Sequence, residues 1–369
     1  MTDRTAVFAR RFEELVVENP RFVCVAPTTI EEVCEVVAAA QADHVPLTVT
    51  GSSSTRPEAT DGGVVLTTRD LAGIVDHQPE DLTVVVRAGT TLGELAGALA
   101  EHRQTAVLPE WAPDRSIGGI VATGASGYRR LRYGPTRDRV LGVTIVTGYG
   151  EIVRGGGQLV KNVTGYDLPR LFTGSHGELG VITEISWKLW PVPNTSRTVV
   201  VTDPSDALRS VHRPLAVLET ETSSSCFIEG SHAAVADACA TLGADGEPGL
   251  DWPVPPTTPA VVSVRVPPRS VVTAVGVVRH HDPVSFVAQH GVGVIDVGFE
   301  TLTSERLEQF RSDIGALGGI AVVERHVATA LGADPWGHVP DGLTIQRRLK
   351  ALFDPDGILN RGHLPGGLS

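Results

Sequence analysis

Between Ser116 and Pro191 the chain sets three glycine-rich segments among strand-like runs, and no other feature narrows its fold as much. The segments are GGIVATGASG (118–127), GGGQ (155–158) and GSHGELG (174–180), with LGVTIVTG and GVITEISWKLW lying among them. Val, Ile and Thr favour strands, so the pattern predicts glycine loops carried by a sheet. Glycine at this density lets backbone approach a flat or charged ligand, and reaches positive φ where N–H groups converge on an anion. A second stretch of this kind follows the strand VPLTVT. Gly51, Ser52, Ser53, Ser54 and Thr55 offer N–H groups and hydroxyls with no bulky side chain, which suits a pyrophosphate. A plain solvent-facing turn would use the same residues, and with no GKS or GKT following, it is not a P-loop. Gly174, Gly177 and Gly180 have GxxGxxG spacing rather than GxGxxG, and no early strand–GxGxxG–helix unit occurs. A nicotinamide-dinucleotide dehydrogenase is therefore disfavoured.

The length of 369 residues leaves room for two or three domains, at about 100–200 residues each. With 41% hydrophobic and 20% charged residues the chain can bury a core. A net charge of −12 argues against nucleic acid as a partner, since phosphate binding needs clustered Lys and Arg. Cys24, Cys34, Cys226 and Cys239 form no CxxC pair, which speaks against iron–sulfur or structural zinc ligation and for small buried hydrophobes in a reducing compartment. The N-terminus lacks an apolar signal region, and no run of about 18 apolar residues occurs. The expectation is a cytoplasmic protein with no membrane span.

Taken in order, residues 4–18 predict an amphipathic helix, and 28–43 a second helix capped by Thr29 with Glu32. The AGTTLGEL junction predicts a helix capped by Thr90 or Thr91 with Glu94. A Pro/Asn/Ser break in LWPVPNTS marks a domain boundary. Beyond it, helices over Ser205–Val217, His232–Leu242 and Thr303–Leu317 alternate with strands that include GIAVVERHV. Short strands separated by helices predict an antiparallel sheet with helices on one face.

SIGGIVATGASG, RDRVLGVTIV, KNVTGYDLPRLFTGS and GELGVITEISWKLWPVP together resemble the FAD-binding (PCMH-type) domain of the vanillyl-alcohol-oxidase-type flavoproteins. Within that family they are most similar to the smaller flavin-domain subunit of bacterial glycolate oxidase. The likeness covers residues 22–193 and, in outline, 336–364. It implies an α+β chain: a two-part FAD-binding domain over 1–193, an α+β cap of antiparallel sheet and helices over 194–334, and a C-terminal return to the FAD domain over 335–369. It also implies an FAD held by Gly51 to Thr55, Pro109, Ser116, Ile117, Gly119, Thr123, Ser126, Gly127, Gly180, Ile182 and Asn360. Serines stand at two positions of the 51–55 loop where the family usually has glycine, and Arg361 stands where it usually has proline. Some relatives attach FAD through a His of that loop; no His occurs from 51 to 60, so non-covalent FAD is expected. Trp111 either lines the ring pocket or is a structural Trp, and Asn360 either touches the flavin region or serves a helix-terminal turn.

Oxidising a 2-hydroxy acid calls for a cation for the carboxylate and an acceptor for the hydroxyl proton. Arg325 and His326 are residues of those types, and strand alternation would place them on opposite faces. Tyr128 and Arg129, beside Arg130 and Arg132, form a second cationic group right after the ATGASG loop. The bland readings are a solvated strand end for the first pair and a polar or partner-docking loop for the second. No HxxDxNxH-like run is found, so no metal is expected. The reading that results is an FAD-dependent oxidoreductase of a small, glycolate-like 2-hydroxy acid. It would work as one subunit of a complex with a larger flavin subunit and an iron–sulfur subunit. The alternatives are a stand-alone flavin oxidase or dehydrogenase of another alcohol, and a non-catalytic flavin-binding helper.

Overall fold

A computed structural model of the chain describes residues 3–19, 22–52, 63–109, 111–157 and 165–366. The predicted loop residues Ser53, Ser54 and Thr55 lie outside the described residues, as do Gln158 and the KNVT run. Two compact units emerge: Met1–Gly127, Pro135–Val192 and Pro340–Ser369 form the first, and Tyr128–Gly134 with Pro193–Val339 the second.

The first unit has a small sheet in the order Val16–Val17, Cys24–Val25, Val64–Thr67, Leu47–Thr50, whose last two neighbouring pairs are parallel. The helix Ile30–Ala42 joins two of these strands. It starts at a full capping box, in which Thr29 accepts from Glu32 N and Glu32 accepts from Thr29 N. Its Val33, Val36, Val37 and Ala40 are buried against the sheet, each valine contributing about 1.5–3 kcal/mol. The tail returns to the outer strand: Leu47 N donates to Ile358 O at 2.8 Å, and Asn360 N to Leu47 O at 3.0 Å. A larger antiparallel sheet runs Ile74–Gln78, Thr83–Arg87, Val181–Lys188, Val140–Val146, Ile152–Gly156. Against it pack the helices Leu92–Ala100, capped by Thr91 with Glu94, and Ile117–Thr123. The GGIVATGASG segment is thus not all loop. Its first part is helical, and Gly118 is required there because a Cβ would lie 2.6 Å from Ala88 Cβ.

The second unit is built on one eight-stranded sheet, every pair antiparallel. In chain order it is strand–helix–strand–strand–helix–strand, twice. The first copy uses Thr195–Val201, Pro204–Ser210, Ala216–Glu219, Ser224–Gly230, His232–Leu242 and Glu247–Pro248. The second uses Ala260–Arg265, Val271–His280, Ser285–Gln289, Val294–Phe299, Ser304–Gly315 and Ile320–Val323. In each copy the first strand lies between the fourth and third, and the copies join edge to edge through Leu218↔Gln289 and Glu219↔Ala288. Each copy has its own apolar cluster.

The structure corrects several boundaries. The first helix runs only Asp3–Arg11, with a 3-10 turn at Glu13–Leu15. The helix expected over Ser205–Val217 ends at Ser210; Val211 is extended, and Pro214 lacks the N–H that a helix would need. Val271–His280, rich in β-branched residues, is helical because Val271, Ala274, Val275 and Val278 fall on one buried face. The strand expected through Glu324 to Val327 stops at Val323, and Arg325–Leu331 is a helix. Arg325 and His326 are therefore helical residues, and the opposite-face argument for them fails. Burial of Val327 and Ala328 in the sheet's core drives the change.

Candidate functional site

Hydrogen bonds join the glycine-rich segments at 51–52, 116–124 and 174–176 of the first unit into a closed circuit, while the glycines of GGGQ lie apart in and just after the strand Ile152–Gly156. From the strand Leu47–Thr50 the chain enters Gly51 and Ser52. Thr67 Oγ1 donates to Gly51 O at 3.2 Å, and Ser116 N donates to Ser52 Oγ at 3.0 Å. A side chain at position 51 would put its Cβ 2.0 Å from Ser116 Oγ, so the contact requires glycine. Ser116 in turn caps the helix Ile117–Thr123 by accepting from Gly119 N at 3.2 Å. The other end of that helix closes at Gly124, φ 63°, which only glycine adopts without strain. There Gly174 N and His176 N donate to Val121 O and Ala122 O at 2.9 and 2.8 Å. Asn360 completes the ring. Its Nδ2 donates to His176 O at 2.7 Å and Val49 O at 3.3 Å, while its Oδ1 accepts from Val49 N at 2.6 Å. Both amide hydrogens of Asn360 thus hold backbone, which favours the positioning role over direct ligand contact.

The tail braces the same loops from behind. Lys350 is buried and donates to Asp354 Oδ2, Glu178 O and Leu359 O at 2.7, 2.7 and 2.8 Å. Glu178, buried within the 174–180 loop, accepts from Leu364 N at 2.6 Å.

The predicted cofactor residues divide by what their polar groups do. The amides of Ile117, Gly118 and Gly119 are already bonded to Thr90 O, Ala88 O and Ser116 Oγ. Ser126 Oγ is held at 3.0 Å by Thr136 N. Ile182, Gly127, Pro109 and Gly180 are buried, and a Cβ on Gly180 would press on Val146 O at 3.0 Å. These residues shape the wall. Thr123 is exposed, its Oγ1 accepting from the half-buried Arg115 at 3.3 Å; burial pulls the Arg115 guanidinium below its ordinary range. Ser52 keeps its hydroxyl hydrogen. Ser175 Oγ is buried without a hydrogen-bond partner, beside Gly174, where a Cβ would meet only open space. Hydroxyls and bare backbone along a rigid strip fit a long polar ligand such as FAD, with Ser52 and Ser175 as the hydroxyls that would hold it. Arg115, Ser175 and the Lys350 brace are absent from the sequence reading. Spacing alone signals none of them, because their roles arise from contacts across the fold.

Just before Pro109 the backbone is also fixed. Val107 sits at φ 53°, unusual for a β-branched residue. The buried Arg139 donates to Val107 O, and Trp187 Nε1 donates to Ala106 O at 2.8 Å.

The four catalytic candidates Arg325, His326, Tyr128 and Arg129 belong to the second unit, and all the cofactor candidates to the first. Tyr128 is buried 5.7 Å from the ring of Trp252, which stacks on Phe227 at 4.3 Å. Arg132 donates to Glu229 O at 2.7 Å, and the Tyr133 hydroxyl to Glu229 Oε1 at 2.6 Å. Burial, followed by that bond to Glu229, pushes the Tyr133 phenol up to about 12.

Residues 22–156 match the family described as FAD binding domain. Over 168 residues the chain is 42% identical to "Glycolate oxidase subunit GlcE" of Escherichia coli (strain K12), covering 44% of this chain and 47% of that protein. It is 37% identical over 200 residues to "D-2-hydroxyglutarate dehydrogenase" of Xanthomonas citri pv. viticola, covering 52% and 42%. With "D-lactate dehydrogenase" of Anaerostipes hadrus it shares 31% over 204 residues, covering 54% and 41%. The matched stretch spans less than half the length of each of these relatives. A solved structure of alkyldihydroxyacetonephosphate synthase superposes with a TM-score of 0.66 over 94% of this chain and 78% of the other, at 16% identity, which speaks to fold alone. Among the described residues no helix is long and apolar enough to cross a membrane.

Proposed function

We propose that this chain, built around an FAD-binding domain, is the flavin subunit of an oxidoreductase acting on a small 2-hydroxy acid of the glycolate type. The observation that carries the reading is the closed circuit through Ser52, Ser116, Gly174, His176 and Asn360, whose Ser52 and Ser116 lie within the stretch that matches the FAD binding domain. When bound, the FAD supplies the hydride acceptor, so the protein's share is binding, orientation and electrostatics. Ser52 and Ser175 would donate to the cofactor's oxygens. The Cβ-free backbone at Gly174 admits close approach, Gly51 makes room for Ser116, and Asn360 and Lys350 keep the loops in register. FAD is held without a covalent bond on this reading, since no His stands from 51 to 60. Denaturing the protein in acid should therefore release the yellow chromophore into the supernatant. A complex is part of the proposal as well. The four cysteines form no CxxC pair, and Cys24, Cys226 and Cys239 are buried, so electrons would leave the flavin to a partner subunit, a quinone, a dye or oxygen rather than to an iron–sulfur centre of this chain.

The deciding measurement is the visible spectrum of the purified, FAD-reconstituted chain before and after anaerobic glycolate, D-lactate and D-2-hydroxyglutarate. Bleaching by one of them supports the proposal. A flavin that stays oxidised with all three, yet is bleached by another alcohol, replaces it with the second reading. A flavin reduced only when a larger subunit is added makes this chain a helper.

A further inference from the structure

The eight-stranded sheet has two unlike faces. Val262, Val264, Ala288, Ile295 and Val297 point into the helix-covered core. Alternation sends their neighbours to the other face, where the register gathers polar groups. Ser263 stands opposite Asp296, Arg265 opposite Val294, and Val294 opposite Gln289. Gln289, Asp296, Ser263 and Arg265 therefore lie within two rungs of one another, on three adjacent central strands.

Three features of this patch call for a ligand. Gln289 is 4% exposed, and its Oε1 is buried with no hydrogen-bond partner; an orphaned acceptor of this kind is costly, and in a native protein it needs an explanation. Asp296 is half-buried, and burial raises its carboxyl above the ordinary range although the Ser263 hydroxyl and the Arg265 charge pull it down. Arg265 holds its guanidinium 6.0 Å from the ring centre of Trp336, at the open end of the patch. A cation, a hydroxyl, an orphan acceptor and a carboxyl, set among Val287 and Val294, complement a molecule with one carboxylate and an adjacent hydroxyl.

We propose that this face of the sheet binds the 2-hydroxy acid, with Arg265 taking its carboxylate, Gln289 Oε1 accepting from its hydroxyl, and Asp296 and Ser263 lining the site beside them. The assignment deepens the function proposed above and rests on it. None of these residues stood out in the sequence, because AVVSVRV, SFVAQ and GVGVIDVGF read as ordinary strands.

The test is ligand-observed NMR and anaerobic flavin reduction on the full-length, FAD-reconstituted chain with glycolate, D-lactate and D-2-hydroxyglutarate. The variants are Arg265→Gln, Gln289→Leu and Asp296→Asn, with the flavin spectrum and melting temperature as controls. Gln289→Leu is the sharpest of the three. Leucine fits an apolar site, so a purely structural Gln289 would leave melting unchanged or higher and ligand binding intact. The expected result is a loss of affinity of about ten-fold or more in Arg265→Gln and Gln289→Leu, with flavin and melting retained. Ligand binding equal to the parent in both variants overturns the assignment, as does a parent protein that binds none of the three acids at millimolar concentration. Failure of the broader reading looks different, with a flavin reduced only by an alcohol that carries no carboxylate.

Discussion

Replacing Lys350 by Met removes one charge from a pair sealed off from water. Lys350 is 3% and Asp354 1% exposed, and their Nζ–Oδ2 distance is 2.7 Å. Methionine matches the length of the stem but leaves Asp354 buried with only the Ile358 and Leu359 amides, at 3.0 and 2.8 Å. Breaking a buried pair from one side costs about 3–5 kcal/mol. At about 2–4 °C per kcal/mol for a unit of this size, the first unit should melt roughly 6–20 °C lower. Because Lys350 also holds Glu178 O, FAD should be released at that lower temperature, which the rise of flavin fluorescence on heating would report separately from circular dichroism. Adding Asp354→Asn removes the stranded charge, so the double variant should regain about 1 kcal/mol or more over Lys350→Met alone. A single variant melting within about 2 °C of the parent, or a double variant no better than the single, would refute the account of this pair as an electrostatic brace.

Further outcomes follow from other contacts. Gly51→Ala drives a methyl onto Ser116 Oγ, so the purified protein should carry far less FAD, measured by the ratio of visible to ultraviolet absorbance. Asn360→Ala strands the Val49 amide and should cost about 1–3 kcal/mol in denaturant unfolding. Asn360→Gly should be the milder change, because residue 360 sits at φ 41°. In a spectrophotometric titration one tyrosine of the four should ionise near 12 and vanish in Tyr133→Phe. Its folded value lies above a phenol's ordinary value of 10.0, so the stability it confers is complete below pH 10 and is lost as pH rises toward 12.

The sequence announced what local chemistry controls. The pairs Thr29–Glu32 and Thr91–Glu94 are capping boxes three residues apart, and His232–Leu242 lies between a Ser cap and a Gly stop. The glycine loops were legible as a group, since their spacing carries the family likeness. Tertiary demand overrode local preference at Val271–His280, where valines that favour strands became one face of a helix. The same happened after Val323, where buried Val327 and Ala328 turned an apparent strand into a helix. The Lys350 brace could not be read at all: its partner Glu178 O is 172 residues away, and nothing in LTIQRRLKALF distinguishes that lysine from its exposed neighbours. The tail's role was visible only as a likeness in outline over 336–364 and at Asn360, and the structure gives it mechanical content.

The doubled motif of the second unit makes its sheet two half-sheets sharing a seam. Among the described residues, two ladder pairs cross it, Leu218 with Gln289 and Glu219 with Ala288, beside the bond from His290 N to Val217 O at 2.9 Å, whereas the neighbouring Ser285–Gln289 and Val294–Phe299 strands share five pairs. The seam is stitched by side chains as well: Glu219 from one half is gripped by His290 at 2.9 Å and Arg279 at 3.1 Å from the other. A fault line with its own cores on either side is where a chain can be cut and reassembled, and where local opening starts without loss of either half. Gln289 stands on that line as the partner of Leu218.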